Sequence, residues 1–260
     1  KKITLECGGK SANIVLHDAN WDIAIDGSIF ASFYHQGQVC ESGTRLLLPE
    51  HQHNEFVDKM VKKLNSLAMG DPLDPGTKIG PVVSREQMET VLDYIEKGKA
   101  EGATLVCGGE RATEGPLADG FFVKPTVFTD VTNDMTIAQE EIFGPVLCVM
   151  KYQDEDEAVR IANDSVFGLG GGVWSEDIER ARQVAGKMRT GTVWINDWHL
   201  LSEQMPFGGY KQSGVGREFG EVGMNEYTEI KALHVDDAKT RDKKPWYDML
   251  VPQEQSDVVD

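Results

Sequence analysis

The sequence predicts an α/β fold in which a mainly parallel sheet is flanked by helices. Three observations carry that expectation. Short apolar runs at 44–48, 146–152, 169–174 and 192–196 have the length of strands. Between them lie stretches with helical periodicity, at 21–36, 54–68, 85–98, 155–163 and 177–188. Glycine and proline punctuate the joins, and strands alternating with helices of this length pair mostly in parallel. A chain of 260 residues is long enough for one large core or two modest ones.

In chain order, 3–6 and 13–16 read as short strands around a Gly8-Gly9-Lys10 turn. Trp21, Ile25, Ile29 and Phe33 recur every fourth position, which lays one face of a helix over 21–36 against a core. Gly37 suits the end of that helix, so Cys40 falls on the loop just beyond. A buried strand follows at 44–48. Phe56, Met60, Val61, Leu64 and Leu67 mark the helix over 54–68, and 71–81 is a turn-rich connector. The helix over 85–98 leads to a strand at 104–106 that stops at Gly108-Gly109. Strands at 121–128 and 146–152, a helix at 155–163, a strand at 169–174, a helix at 177–188 and a strand at 192–196 complete the alternation. A glycine-rich loop over 205–220 precedes a short helix and a last strand at 229–234. From Asp236 onward, charge and weak periodicity indicate a loosely held tail, with Trp246, Tyr247 and Leu250 as the residues able to dock it.

Composition narrows the function classes. The net charge is -17, and Lys62-Lys63 and Lys243-Lys244 are only pairs, so no basic face for nucleic acid is expected. No apolar stretch approaches the roughly 18–20 residues of a membrane span, and no secretory leader is visible. The four cysteines have no metal-ligand spacing, and no metal site is expected. Cys7, Cys107 and Cys148 lie in or beside apolar segments and read as reduced and packed, which makes the cytoplasm the default location.

Three stretches carry chemistry. Cys40 sits on a loop between Gly37 and Gly43, where small neighbours admit a substrate and let backbone N–H groups face a developing oxyanion. The same local pattern fits an ordinary loop cysteine equally well. Glu6, at the end of a strand beside Gly8-Gly9, is a candidate general base, and on its own reads more readily as a structural carboxylate. The run Glu140-Glu141-Ile142-Phe143-Gly144-Pro145 adds an acid and an aromatic two residues apart.

Together these segments resemble the aldehyde dehydrogenase superfamily over residues 3 to about 235. The matching stretches are 5–13, 33–40, 80–81, 107–109, 124–126, 140–146, 162–163, 167–169 and 206–217. The resemblance implies a role for each matched residue. Cys40 stands at the family's nucleophile and would form a thiohemiacetal, then a thioester once hydride has passed to the nicotinamide. Glu6 matches the base that activates water to hydrolyse that thioester. Family members that transfer the acyl group to coenzyme A commonly lack this glutamate, so a free carboxylic acid is the implied product. Glu141 matches the carboxylate that binds hydroxyls of the nicotinamide ribose, and Phe143 the aromatic beside the nicotinamide. Gln87 falls where the cofactor is often contacted, and Cys7, in place of the usual leucine, would offer its backbone carbonyl. The implied cofactor is NAD or NADP. His35 replaces a common asparagine, for which the sequence offers no functional account.

The same resemblance implies a division of the chain. Residues 1–9 would end a cofactor domain and carry the catalytic glutamate, and 10–220 would form the catalytic domain. Residues 221–236 would hold a C-terminal helix and an oligomerisation strand, and 237–260 a loosely ordered tail. The family's upstream Rossmann-like domain is absent from this sequence, so the expected partners are that cofactor-binding half and further copies of the chain. The glycines at 168–172 superficially resemble a dinucleotide fingerprint, but they open a strand and read as structural. Carried over from the family, a tunnel would be lined by Val39, Glu41, Trp198, Leu201 and Phe207. It is mostly apolar and suits aliphatic or aromatic aldehydes. Aromatic rings, helped by Glu41 or Glu203, would also admit a betaine-aldehyde or aminoaldehyde, while the plainer reading of both glutamates is solvated charge. Two other classes stay open. One is a thiol hydrolase pairing Cys40 with one of six histidines, with weak esterase activity as its mark. The other is a folded module that binds no cofactor.

Overall fold

In the computed structural model, which describes residues 1–251, the chain opens with a two-residue strand, β1 (Leu5–Glu6). There follow β2 (Ala12–Val15), α1 (Trp21–Phe33), β3 (Arg45–Pro49), α2 (His53–Leu64), α3 (Arg85–Ala100), β4 (Thr104–Cys107) and β5 (Thr126–Thr129). The short α4 (Thr136–Gln139) leads into β6 (Val146–Tyr152), α5 (Glu155–Asn163), β7 (Phe167–Gly168), β8 (Gly170–Trp174), α6 (Ile178–Lys187) and β9 (Thr192–Ile195). Two more short strands, β10 (Tyr210–Lys211) and β11 (Gly214–Val215), precede α7 (Gly220–Glu226).

Seven strands form one sheet in the order β4-β5-β6-β3-β2-β8-β9. Only β4 runs antiparallel to its neighbour, so the expected mainly parallel α/β sheet is what forms. Side chains alternate across it with period two. On one face Val146, Cys148 and Met150 of β6 pack with Met88 and Val91 of α3, Ala158 of α5 and Ala181 of α6. On the other, Leu147 and Val149 meet Ile25 and Phe33 of α1 and Phe56 and Met60 of α2. Both faces are covered, which is why the central strands read as near-continuous apolar runs.

Four expectations need correction. The strand at 121–128 shrinks to β5, because Pro125 has no N–H for a ladder and Val123 makes only an isolated bridge to Arg111. The helix over 54–68 ends at Leu64, where Asn65 closes it through a bond to the Val61 carbonyl. The helix over 21–36 ends at Phe33, since His35 (φ 53°), Gln36 (φ 58°) and Gly37 (φ 68°) are all left-handed. Residues 229–234 form no strand among the described residues; a strand needs a partner edge, and none pairs with them.

Residues 228–260 constitute a unit separate from 1–227. Within it lie two short 3₁₀ turns, Arg241–Lys243 and Pro245–Met249. Arg241 holds them, donating to Asp248 Oδ1 (2.6 Å) and the Val251 carbonyl (2.7 Å). Trp246 meets Tyr247 edge-on at 6.0 Å, and both, like Leu250, are exposed. The last part of the expected tail, 252–260, lies outside the described residues.

Candidate active site

Parallel pairing decides what meets at this site. The register Ala12↔Arg45 and Arg45↔Cys148 sets β2, β3 and β6 side by side, so the loops that enter them converge at one edge of the sheet. Those loops are 7–11, 38–44 and 140–145, the three stretches that carried chemistry in the sequence. The edge is the amino-terminal one. A larger cavity of about 590 Å³ lies at the opposite edge, lined in part by His17, His51, Tyr152 and Arg180. That carboxyl edge is where parallel α/β sheets usually bind ligands. Its basic groups are largely spent on carboxylates, Arg180 on Glu155 and Lys187 on Asp156.

The glycine pair explains the convergence at atomic scale. A Cβ on Gly9 would lie 2.4 Å from the Cys40 carbonyl oxygen, and one on Gly8 would lie 2.2 Å from Glu141 Oε2. Only a backbone without side chains fits between nucleophile loop and acid loop. Gly9 N–H donates to Glu141 Oε1 at 3.0 Å. Burial pushes the Glu141 carboxyl up, with the Gly9 N–H and Lys10 pulling the other way. Behind the turn, the buried Arg45 donates to the Lys10 carbonyl (2.9 Å), Asn133 Oδ1 (2.8 Å) and the carbonyls of Ile161 and Ala162 (both 2.9 Å).

Cys40 is half-buried on the loop after the left-handed turn at 35–37. That turn also gives His35 a physical reason: the left-handed region favours asparagine, and histidine is among the few other residues enriched there. The Cys40 thiol donates to Glu41 Oε2 at 3.3 Å. Burial first, then the Glu41 charge and this hydrogen bond, push the thiol up to about 12. Backbone N–H groups of Cys40 and Glu41 act in the opposite sense.

Glu41 is not a solvated charge. Its residue is 5% exposed, and Oε1 lies 3.1 Å from His199 Nδ1. Burial raises its carboxyl, but hydrogen bonds from His199, its own backbone and Cys40 outweigh that and hold it below the ordinary value. His199 was not singled out by sequence, and its only signal was adjacency to Trp198. It sits at φ 61° with its ring against Phe30 and Tyr34, at 5.3 and 5.4 Å. Cys40 reaches this imidazole only through Glu41, so the direct thiol–histidine pair of a hydrolase is not formed.

Glu6 lies on the exposed strand β1, paired with Gly214 of β11. Burial, then Glu218 and Glu41, push its carboxyl up against the opposing pull of Arg217. Cys7 is exposed, and its backbone N–H is taken by the Ser213 carbonyl at 2.9 Å. Gln87 contacts the loop that bears the acid and the aromatic. Its Nε2 donates to the carbonyls of Ile142 and Phe143, both at 2.9 Å. Phe143 is itself left-handed at φ 55° and leaves its ring partly exposed. A narrow crevice lined by Gly9, Val39, Ser42, Glu141 and Phe143 joins the two loops.

The remaining tunnel candidates divide. Trp198 and Phe207 are buried in a small apolar cluster with Ala31, Leu169 and Trp194, against which Cys40 packs. Trp198 Nε1 donates to the Glu41 carbonyl at 3.2 Å. Leu201 is exposed and Val39 half-buried. The glycines of β8 make room for this wall: a Cβ on Gly172 would strike the Trp198 ring at 2.3 Å. The run at 168–172 is therefore strand packing, as its sequence context suggested. Among the described residues no group of three or more His, Cys, Asp or Glu could hold a metal ion.

Comparison with known proteins points the same way. A family model described as "Aldehyde dehydrogenase family" matches residues 1–233. A betaine aldehyde dehydrogenase of Brucella anthropi is 49% identical over 239 residues, covering 92% of this chain and 49% of that protein. One from Brucella melitensis is 48% identical over the same length. Among solved structures, the NAD+ complex of an aldehyde dehydrogenase from Bacillus cereus superposes with a TM-score of 0.87 at 49% identity, over 92% of this chain and 48% of that one. The NAD+ complex of a Staphylococcus aureus betaine aldehyde dehydrogenase gives 0.85 at 44%, over 86% and 45%. The chain spans about half the length of the curated relatives it matches.

Proposed function

The chain belongs to the aldehyde dehydrogenase family, and we propose that it supplies the nucleophile and the deacylating base for NAD(P)-dependent oxidation of an aldehyde to a carboxylic acid. The observation that carries this reading is the convergence of Cys40, the Gly8-Gly9 turn and Glu141 at one edge of β2, β3 and β6. Cys40 gives its thiol proton up to water and Sγ adds to the carbonyl carbon, on a loop whose backbone N–H groups favour negative charge at the sulfur. The cofactor, when bound, accepts the hydride. Glu6, exposed and with its carboxyl pushed up, takes a proton from the water that hydrolyses the Cys40 thioester. Glu141 accepts the ribose hydroxyls, Phe143 packs beside the nicotinamide, Gln87 holds their loop and Cys7 offers its carbonyl. Gly8 and Gly9 let the Glu141 carboxylate and the Cys40 loop close on one turn, which sets the acid beside the nucleophile.

Val39, Leu201 and the wall of Trp198 and Phe207 guide an apolar aldehyde towards Cys40. A quaternary-ammonium aldehyde rests on likeness to the betaine aldehyde dehydrogenases and on aromatic rings, not on Glu41, whose carboxylate is engaged by His199. The partners are a cofactor-binding half and further copies joined through 229–234, where Ile230 and Leu233 are fully available. No helix among the described residues is long and apolar enough to cross a membrane, and the four unpaired cysteines suit the cytoplasm.

The test is NADH formation with NAD and a simple aldehyde, by the chain alone and with a cofactor-binding half added. Silence alone and activity on mixing are expected, and Cys40→Ala should abolish the restored activity. NADH production by the mixed Cys40→Ala protein would overturn the nucleophile assignment. A second reading, esterase activity without cofactor, is favoured by Cys40 and Glu6 both lying within this chain. It predicts turnover of an activated ester that Cys40→Ala removes.

A further inference from the structure

The mechanism above leaves Glu41 and His199 unused, yet they are the most buried ionisable pair beside the nucleophile. Their side chains are only 7% and 6% exposed. One carboxylate oxygen accepts a hydrogen bond from the Cys40 thiol at 3.3 Å and the other accepts one from His199 Nδ1–H at 3.1 Å. His199 is itself held on three sides, by Phe30, Tyr34 and Trp198, from a strained left-handed backbone position. Its Nε2 is buried without a partner, which suits the tautomer that carries its proton on Nδ1. The Glu41 backbone is fixed as well, since its carbonyl accepts from Trp198 Nε1. A carboxylate so constrained cannot swing away from the sulfur without breaking the imidazole contact.

We propose that Glu41, clamped by His199, is a positioning residue that holds Cys40 as a hydrogen-bonded thiol, so that the nucleophile is released only when this contact is broken. The proposal rests on Cys40 being the nucleophile. A fixed negative charge beside the sulfur disfavours the thiolate, and it favours the thiol rotamer that points at the carboxylate. The resting enzyme is thereby kept from reacting with adventitious electrophiles. Other ionisable groups face this cluster from each side: Glu6 from β1, Tyr34 from the turn after α1, and Arg217 and Glu218 through Glu6. None of them contacts the thiol, so Glu41 is the group whose removal should be felt.

Alkylation of Cys40 by iodoacetamide in the full chain, followed by peptide mass spectrometry across about pH 6–11, reads thiolate formation directly. Cys7, exposed in the same molecule, serves as the internal control. Glu41→Gln should raise the Cys40 rate roughly tenfold near pH 8 while the Cys7 rate is unchanged. An unchanged or lowered Cys40 rate overturns the proposal. Should Glu41→Gln fail to fold, His199→Leu carries the test: a Cys40 rate raised about threefold or more supports the clamp, and an unaltered rate overturns it. His199→Asn, whose amide N–H can replace Nδ1–H, should restore the slow wild-type rate; a rate as high as that of His199→Leu would overturn the role of the hydrogen bond. These readouts need no cofactor, so they stand or fall apart from the dehydrogenase assignment, which Cys40→Ala tests.

Discussion

Glu6 and Glu41 flank the same chemistry and are set up in opposite ways. Glu6 is exposed on a two-residue strand, where neighbouring carboxylates and partial burial make it a better proton acceptor. Glu41 is buried, doubly hydrogen-bonded and held ionised. If Glu6 is the deacylating base, Glu6→Gln in the reconstituted enzyme should give a burst of NADH followed by a slow phase, since hydride transfer precedes its step. Equal slowing of both phases would remove it from deacylation. The pH dependence has a definite sign. A base works when deprotonated, so deacylation by the unsubstituted enzyme should quicken as pH rises through the Glu6 value, which lies above the ordinary carboxylate one; a steady-state rate that falls over that range would exclude Glu6. Glycines marked in the sequence where the Gly8-Gly9 turn and the Cys40 loop would approach closely, but the roles of Glu6, Glu141 and Cys40 came only from the resemblance to the family. His199 and Arg45 were not legible. Their roles come from strand pairing and loop geometry that no local pattern encodes.

At the scale of elements, the site is held by two braces. Gln87, near the start of α3, spends its amide on the carbonyls of Ile142 and Phe143. Each such bond contributes roughly 0.5–1.5 kcal/mol, and here they restrain a left-handed Phe143. Gln87→Ala should therefore weaken cofactor binding by about threefold to tenfold with a smaller effect on kcat, as measured by NAD titration of the reconstituted protein; unchanged affinity would show that the loop holds without it. Arg45, at the start of β3, ties the Gly-Gly-Lys turn to Asn133 in the loop before α4 and to the last turn of α5 through four hydrogen bonds. Arg45→Met leaves buried carbonyls without donors and should cost about 3–5 kcal/mol in urea unfolding; a loss under about 1 kcal/mol would show that water or repacking replaces it. Helix periodicity and apolar runs predicted nearly every element here, because both faces of the sheet are buried and the pattern is strong. What failed were ends, the whole strand expected at 229–234, and the short α4, β10 and β11, which no pattern marked. Pro125, the left-handed turn at 35–37 and the lack of a partner for 229–234 are each local or intermolecular constraints that override periodicity.

At the scale of the whole molecule, the apolar core and the proposed subunit contact draw on different parts of the chain. The three apolar clusters draw no residue from beyond Phe207. Tyr227, Ile230, Leu233 and Val235, by contrast, are 83–96% exposed. Single exposed apolar residues are ordinary, but four within nine positions, with no strand partner among the described residues, are what the proposed subunit contact would cover. Folding and association should therefore be separable. Removal of 228–260 should shift the thermal midpoint of the remaining chain by no more than about 2 °C, because its buried apolar contacts are untouched. The same removal should abolish self-association seen by sedentation equilibrium or light scattering of the reconstituted enzyme. A large loss of thermal stability would mean that the segment completes the fold, and undiminished association would place the subunit contact elsewhere. The outcome bears on function as well, since α7 and the loop bearing Arg217 and Glu218, which tune Glu6, lie immediately before the removed segment. If pairing through 229–234 steadies that loop, the truncated protein should keep its nucleophile reactivity but lose deacylation rate, a split that separates assembly from folding in one experiment.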